Sequence, residues 1–198
     1  MYNNEAIVVG TSAGGMKALE TILSCLPAHF TAAIIIVQHR SPGSDDFLEH
    51  YLNDRCNLRV KQADEKENII PGMVYLAPPD YHLLVEKEKK LSLSIDPRIN
   101  YARPSIDVLF ETAADAYGVN LAGVILTGAG KDGSQGLKRI KESGGIAVIQ
   151  DPQTAESRAM PAAAISAVKN ADRILTLKEI GLFLTGLSDG YTWRNNHE

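Results

Sequence analysis

Short apolar runs separated by helix-length stretches constrain the fold of this chain more than any other feature. Ala6 to Val9, Ala32 to Val37, Leu121 to Leu126, Ile146 to Ile149 and Arg173 to Leu177 are each of strand length and bounded by Gly, Pro or polar residues. A strand that is apolar at successive positions buries both faces, as parallel strands do when helices cover the sheet on either side. Helical spacing appears between these runs, at Met16, Leu19, Ile22, Leu23 and Leu26, at Phe47, Leu48, Tyr51 and Leu52, and at Val108, Leu109, Ala113 and Ala116. The alternation predicts an α/β fold, a mostly parallel, doubly wound sheet with helices on both faces. Asn68 to Asp96 departs from it: Met73 to Leu76, His82 to Glu86 and Leu91 to Ile95 are short, with turn signals between them, and predict an inserted antiparallel β-hairpin at the sheet edge.

With 198 residues, 44% of them hydrophobic, the chain can bury one substantial core. One domain over 1–190 is expected, with a flexible tail over 191–198. A net charge of −4 gives no electrostatic reason to expect nucleic acid or an anionic membrane as partner. Cys25 and Cys56 lack a C-x-x-C or His-rich context, so both are expected as free thiols and neither suggests a metal site. No apolar run approaches the roughly 20 residues that span a bilayer, and the first residues lack the pattern of a signal peptide. A cytoplasmic protein without direct membrane insertion is expected.

Ile7-Val8-Val9-Gly10-Thr11-Ser12-Ala13-Gly14-Gly15 sets a serine among glycines, directly after a strand and before a helix. This is the G-x-S-x-G arrangement, in which a tight turn pushes a nucleophilic hydroxyl out at the strand's carboxyl end and free amides at the helix start can stabilise an oxyanion. A phosphate-binding loop is the alternative. It fits less well, because Met16 and Lys17 follow Gly15 where a Walker loop needs Lys and Ser/Thr, and Ser12 stands where a G-x-G-x-x-G start needs its second glycine.

A serine nucleophile needs a base oriented by a third group. Of His29, His39, His50, His82 and His197, only His39 directly follows a buried strand, so it shares a carboxyl edge with Ser12 if the first two strands are parallel neighbours. The carboxylate candidate is Asp132, in Leu126-Thr127-Gly128-Ala129-Gly130-Lys131-Asp132-Gly133, another strand running into a glycine turn. The order Ser, His, Asp differs from that of ordinary α/β-hydrolases, but geometry defines a triad, not order.

The same loop is a literal G-x-G-x-x-G, with Asp151 after the next strand at a distance suited to a ribose-binding acid, so a dinucleotide-binding Rossmann-like protein stays open. Against it, Asp132 would bring a negative charge to a pyrophosphate.

Further matches are spaced along the chain: Gln38-His39, Ala77-Pro78-Pro79 with His82, Arg103-Pro104-Ser105-Ile106-Asp107, Gln150-Asp151-Pro152 and Met160-Pro161. With the two glycine loops, they make Ala6 to Leu184 resemble the catalytic domain of the chemotaxis protein-glutamate methylesterases. The resemblance implies Ser12 as nucleophile, His39 as general base and acid, and Asp132 as the group orienting His39. It implies hydrolysis of glutamyl methyl esters on the cytoplasmic helices of chemoreceptors or on another methylated signalling protein, with release of methanol and no cofactor.

Backbone amides near Ala13 and Ala129 are the expected oxyanion donors. The family commonly has threonine and methionine at these two positions, and since an amide survives a side-chain change, the expected consequence is for rate. Arg40-Ser41 replaces an apolar-Pro pair, which suggests a different substrate rim. Arg103 and His82 are candidate substrate-rim residues, each with a structural alternative, while Asp107 and Pro161 suit the first turns of their helices. Methylesterases of this kind commonly carry an N-terminal receiver domain. With the nucleophile strand starting at Ala6, the expectation is an open esterase or one governed by a separate regulatory protein. A catalytically silent scaffold is the third reading, opposed by the presence of Ser12, His39 and Asp132 together.

Overall fold

A computed structural model describes residues 5–188. Seven parallel strands make the main sheet: β1 (Ala6–Thr11), β2 (Ala33–Gln38), β3 (Arg59–Gln62), β4 (Met73–Leu76), β7 (Leu121–Ile125), β8 (Ile146–Gln150) and β9 (Arg173–Leu175), in the order β3-β4-β2-β1-β7-β8-β9. β5 (His82–Val85) and β6 (Leu91–Ser94) pair antiparallel as a separate two-stranded sheet. The helices are α1 (Gly15–Leu23), α2 (Phe47–Asn53), α3 (Ile106–Tyr117), α4 (Ser134–Glu142), α5 (Ala159–Ala167) and α6 (Leu177–Ser188). The expected tail over 191–198 lies outside the described residues.

Every residue of β1 is buried, because alternate side chains feed two cores. Ile7 and Val9 join Leu19, Ile22, Leu48, Leu52, Ile180 and Leu184 under α1, α2 and α6. Ala6 and Val8 join Leu109, Phe110, Ala113, Leu137 and Ala164 under α3, α4 and α5. At roughly 1.5–3 kcal/mol per fully buried large aliphatic side chain, this double burial is what holds the central strands without any antiparallel partner.

The hairpin expectation is met by β5 and β6, with two corrections. Met73–Leu76 belongs to the main sheet, parallel to both β2 and β3. The hairpin does not extend the sheet edge but packs on α3, where Thr112 Oγ1 accepts the Val85 amide. No helix of the described residues is long and apolar enough to cross a membrane.

The chain leaves β1 for β2 on one side and later returns to β7 on the other, so the strand order reverses at β1. Open α/β sheets place their sites outside the carboxyl ends of the strands at such a point.

Candidate active site

Three loops leave the carboxyl edge together. Thr11 and Gln38 are register partners in the parallel pair β1–β2, and the His39 amide donates to the Thr11 carbonyl at 3.1 Å. Ser12 and His39 are therefore the next residues out on strands roughly 4.8 Å apart. On the other side of β1, the Ser12 amide donates to the Thr127 carbonyl at 3.1 Å, which fastens the serine turn to the loop carrying Asp132. Thr127 adds two ties through its hydroxyl, donating to the Ala13 carbonyl at 2.9 Å and accepting the Ser157 amide at 2.9 Å.

The tightness of this joint explains two glycines. Gly14 has φ 77°, in the left-handed region, and a methyl group there would lie 2.8 Å from Glu156 Oε2. At Gly128 a methyl group would lie 2.0 Å from Met160 Sδ and 3.0 Å from Ser12 Cβ. Gly128 is therefore needed for close approach behind the serine, while Gly14 is needed for both its backbone angle and the Glu156 side chain above it.

His39 Nε2 lies 2.8 Å from Asp132 Oδ2, with side-chain exposures of 21% and 4%. Asp132 accepts from five donors: His39 Nε2 and the Ile106 amide at Oδ2, and Ser105 Oγ, the Asp107 amide and Asn100 Nδ2 at Oδ1. Burial pushes the Asp132 carboxyl up, but the hydrogen bonds from His39, Ile106 and Ser105 outweigh it and hold the group below its ordinary value. A carboxylate only accepts, so His39 Nε2 carries the proton and Nδ1 is left with the lone pair. In the common serine-protease arrangement the two ring nitrogens have the opposite roles.

Asp107 does lie in the first turn of its helix, α3, but the capping is not local. Ser105 makes no side-chain cap to its own helix. Asp132, from the loop before α4, takes the first amides of α3, and Asp107 in turn accepts the Gly136 amide in the first turn of α4 at 2.8 Å.

This cross-capping also removes the dinucleotide reading of the second glycine loop. The first turn of α4 faces the Asp107 carboxylate, and Asp132 sits buried inside the loop. A pyrophosphate would meet two acids where it needs free amides.

The remaining candidates separate clearly. Ala13 and Ala129 are exposed at the two loops, and among the described residues neither amide donates to a protein acceptor. Arg103 ties loops together, with Nη2 3.0 Å from Asp80 Oδ1 and Nη1 donating to the Ile95 and Asp96 carbonyls. His82 is 1% exposed, with Nδ1 accepting the Ser105 amide at 3.2 Å and Nε2 3.2 Å from the Pro97 carbonyl. It supports the start of α3 through the Ser105 amide. Arg40 is also turned away from the site: its guanidinium forms a two-pronged pair with buried Glu49 and donates to the Ala77 carbonyl. Among the described residues, no group of three or more His, Cys, Asp or Glu is placed to hold a metal ion.

Asn100, Thr127 and Glu156 were not singled out from the sequence. Asn100 sits in an irregular loop 32 residues from Asp132, and no periodicity marks it. Thr127 did carry a signal, as a hydroxyl between a buried strand and a glycine turn.

The model of the CheB methylesterase family matches residues 7–184. This chain belongs to that family. A Leptospira interrogans relative, named for protein-glutamate methylesterase and protein-glutamine glutaminase, is 56% identical over 178 residues, covering 90% of this chain and 92% of its own. The protein-glutamate methylesterase FrzG of Myxococcus xanthus is 39% identical over 178 residues, which cover 90% of this chain and 53% of FrzG. The CheB methylesterase catalytic domain of Thermotoga maritima superposes with a TM-score of 0.88 at 36% identity, covering 93% of this chain and 98% of that one.

Proposed function

We propose that this chain hydrolyses glutamyl methyl esters on a methylated signalling protein of the chemoreceptor type, through an acyl-enzyme on Ser12. The observation that carries the reading is the His39 Nε2 contact with Asp132 at the edge where Ser12 also emerges. It leaves His39 Nδ1 with the lone pair that a general base for Ser12 needs.

In the first half-reaction Ser12 Oγ attacks the ester carbonyl and its proton passes to His39 Nδ1. The developing oxyanion is taken by the Ala13 and Ala129 amides, which hold no protein acceptor of their own among the described residues. Collapse breaks the bond to the methoxy oxygen, His39 returns the proton, and methanol leaves. Water then attacks the acyl-serine, giving one proton to His39; Ser12 recovers its hydrogen from His39 as the glutamic acid side chain departs, and that acid ionises to the carboxylate with release of a proton to solvent. Asp132 stays ionised throughout and stabilises the imidazolium.

The alanines at 13 and 129 leave these amides in place, so the mechanism survives and the side-chain contacts that threonine and methionine would add are absent. A glutamine side chain would give the same acyl-enzyme with ammonia as leaving group. The paired name of the Leptospira relative favours this as a second activity of the same site.

The deciding experiment is methanol release from a methylated chemoreceptor cytoplasmic fragment, wild type against Ser12→Ala at equal folded concentration. We expect a loss of about 10⁴- to 10⁶-fold in the variant. Equal release from both would end the serine-esterase reading, and binding of the fragment with no release from wild type would favour the scaffold.

A further inference from the structure

We propose that Asp107 is a positioning residue for this reaction, holding the loop that carries Asp132 in register so that His39 keeps its place beside Ser12. The inference rests on the serine-esterase reading of the site.

An acid in the first turn of a helix ordinarily serves that helix's own dipole from the surface. Asp107 is 5% exposed and points across to the next helix instead. Its Oδ1 accepts the Gly136 amide at 2.8 Å and its Oδ2 accepts Asn100 Nδ2 at 2.9 Å, while its own amide donates to Asp132 Oδ1 at 3.2 Å. Each of the two acids thus caps the helix associated with the other. α3 and α4 meet closely enough that a methyl group at Gly136 would lie 2.5 Å from Phe110 Cβ and 3.1 Å from the Asp107 Cα. Asp132 stands two residues before α4, so a slip of α4 against α3 moves the carboxylate that orients His39.

Asn100 completes the link. Its Nδ2 is 2.9 Å from Asp107 Oδ2 and 3.4 Å from Asp132 Oδ1, so its N–H dipoles lie between two carboxylates that would otherwise repel. A misplacement of about 1 Å at a reacting group costs on the order of 10²-fold in rate, which is the scale on which a loosened cross-cap would register.

The charged and polar groups around Asp107 are Asp132 from the loop before α4, Glu111 on its own helix, the Gly133 and Gly136 amides, and Asn100. Burial, above all, pushes the Asp107 carboxyl up to about 6. The Gly136 amide opposes this, and the Asp132 and Glu111 charges add to it. The ionised form accepts more strongly from Gly136 and Asn100, although burying its charge beside Asp132 and Glu111 lowers the stability of the fold as a whole.

The test compares wild type, Asp107→Asn and Asn100→Ala by steady-state methyl-ester hydrolysis across pH and by proton NMR of the His39 Nε2–H, assigned through its loss in His39→Ala. We expect kcat to fall about 10- to 100-fold in Asp107→Asn and about 3- to 10-fold in Asn100→Ala, with KM within about twofold in both. The acid limb of kcat loses its component near pH 6 in Asp107→Asn, and the Nε2–H exchanges with solvent at least about tenfold faster in each variant. Folded variants with wild-type kcat and wild-type exchange would overturn the proposal. Should Asp107→Asn fail to fold, Asn100→Ala decides alone, since Asn100 is exposed and supports no core. The NMR signal needs no turnover, so an unreactive Ser12 would sink the esterase reading while the hold of Asp107 on His39 stayed measurable.

Discussion

His39 meets Asp132 through Nε2, 2.8 Å from Oδ2, and this leaves Nδ1 as the ring nitrogen with the lone pair. Two variants at 132 separate orientation from support. In Asp132→Asn one acceptor oxygen remains, enough for the Ile106 amide or for the Asp107 amide and Ser105 hydroxyl but not for both sets, and the charge that selects the His39 tautomer is gone. We expect kcat to fall by about 10³- to 10⁴-fold with a smaller loss of stability than in Asp132→Ala. In Asp132→Ala the Ile106 and Asp107 amides and the Ser105 hydroxyl all lose their acceptor as well. Each buried unsatisfied group costs about 1–3 kcal/mol, so this variant should lose several kcal/mol in urea denaturation besides its activity. Equal stability of the two variants would show that Asp132 does not cap α3.

The Asp107–Asp132 pair gives the stability a pH dependence whose two halves have opposite signs. The Asp107 carboxyl is raised from 3.8 to about 6 by burial first, so its contribution is complete below about pH 4 and is lost as pH rises through 6. Asp132 is held low against burial by the hydrogen bonds it accepts, so its contribution is present above its unfolded value near 4 and is lost only as pH falls further. Subtracting the urea stability of Asp107→Asn from that of wild type isolates the first. The difference should move against wild type by up to about 3 kcal/mol between pH 4 and 7, at about 1.4 kcal/mol per pH unit. A flat difference curve would show that Asp107 titrates at its ordinary value.

Arg40 and Glu49 form a pair with side-chain exposures of 10% and 8%, bidentate at 2.9 and 3.2 Å. Removing one partner strands the other charge inside, whereas replacing both with apolar groups need not cost stability. Arg40→Ala should therefore lose about 3–5 kcal/mol, and Arg40→Met with Glu49→Leu should recover most of it, as read by denaturant midpoints. Because Arg40 follows His39 and also holds the Ala77 carbonyl, the double variant reports how far this strut steadies His39. Wild-type stability in Arg40→Ala would refute the buried-pair assignment.

The parallel strands and the three loop residues were legible because each residue sits at or just past the carboxyl end of a buried run: Ser12 and His39 directly after β1 and β2, Asp132 in the glycine turn after β7. Ser12, His39 and Asp132 share one edge for that reason alone. β3 escaped notice because Arg59–Gln62 is an edge strand with polar residues at three of its four positions, too short to show alternation. Met73–Leu76 was grouped with the hairpin because four residues cannot reveal whether their partner is parallel or antiparallel. The cross-capping was hidden for a different reason. Ser105 and Asp107 satisfy the local rules for a helix start, and nothing in their neighbourhood shows that Asp132, 25 residues on from Asp107, supplies the acceptor.

Gly128 leaves little room in the joint behind the serine. A methyl group there would come within 2.0 Å of Met160 Sδ and 3.0 Å of Ser12 Cβ. Met160 is 1% exposed and its amide is held by the Gly128 carbonyl at 3.0 Å, so neither its side chain nor its backbone can simply retreat. The serine turn is pinned too, through the Ser12 amide on Thr127 and the Thr127 hydroxyl on Ala13. Gly128→Ala must therefore displace Met160, Ser12 or both, and overpacking of this kind costs about 1–3 kcal/mol. We expect kcat for methyl-ester hydrolysis to fall by about 10²-fold or more with a modest drop in Tm. Adding Met160→Ala opens the space the new methyl needs, so the double variant should regain activity relative to Gly128→Ala even though it loses core packing. Activity that stays at the single-variant level would place the damage at Ser12 itself; full activity in Gly128→Ala would mean the loop is looser than these distances require.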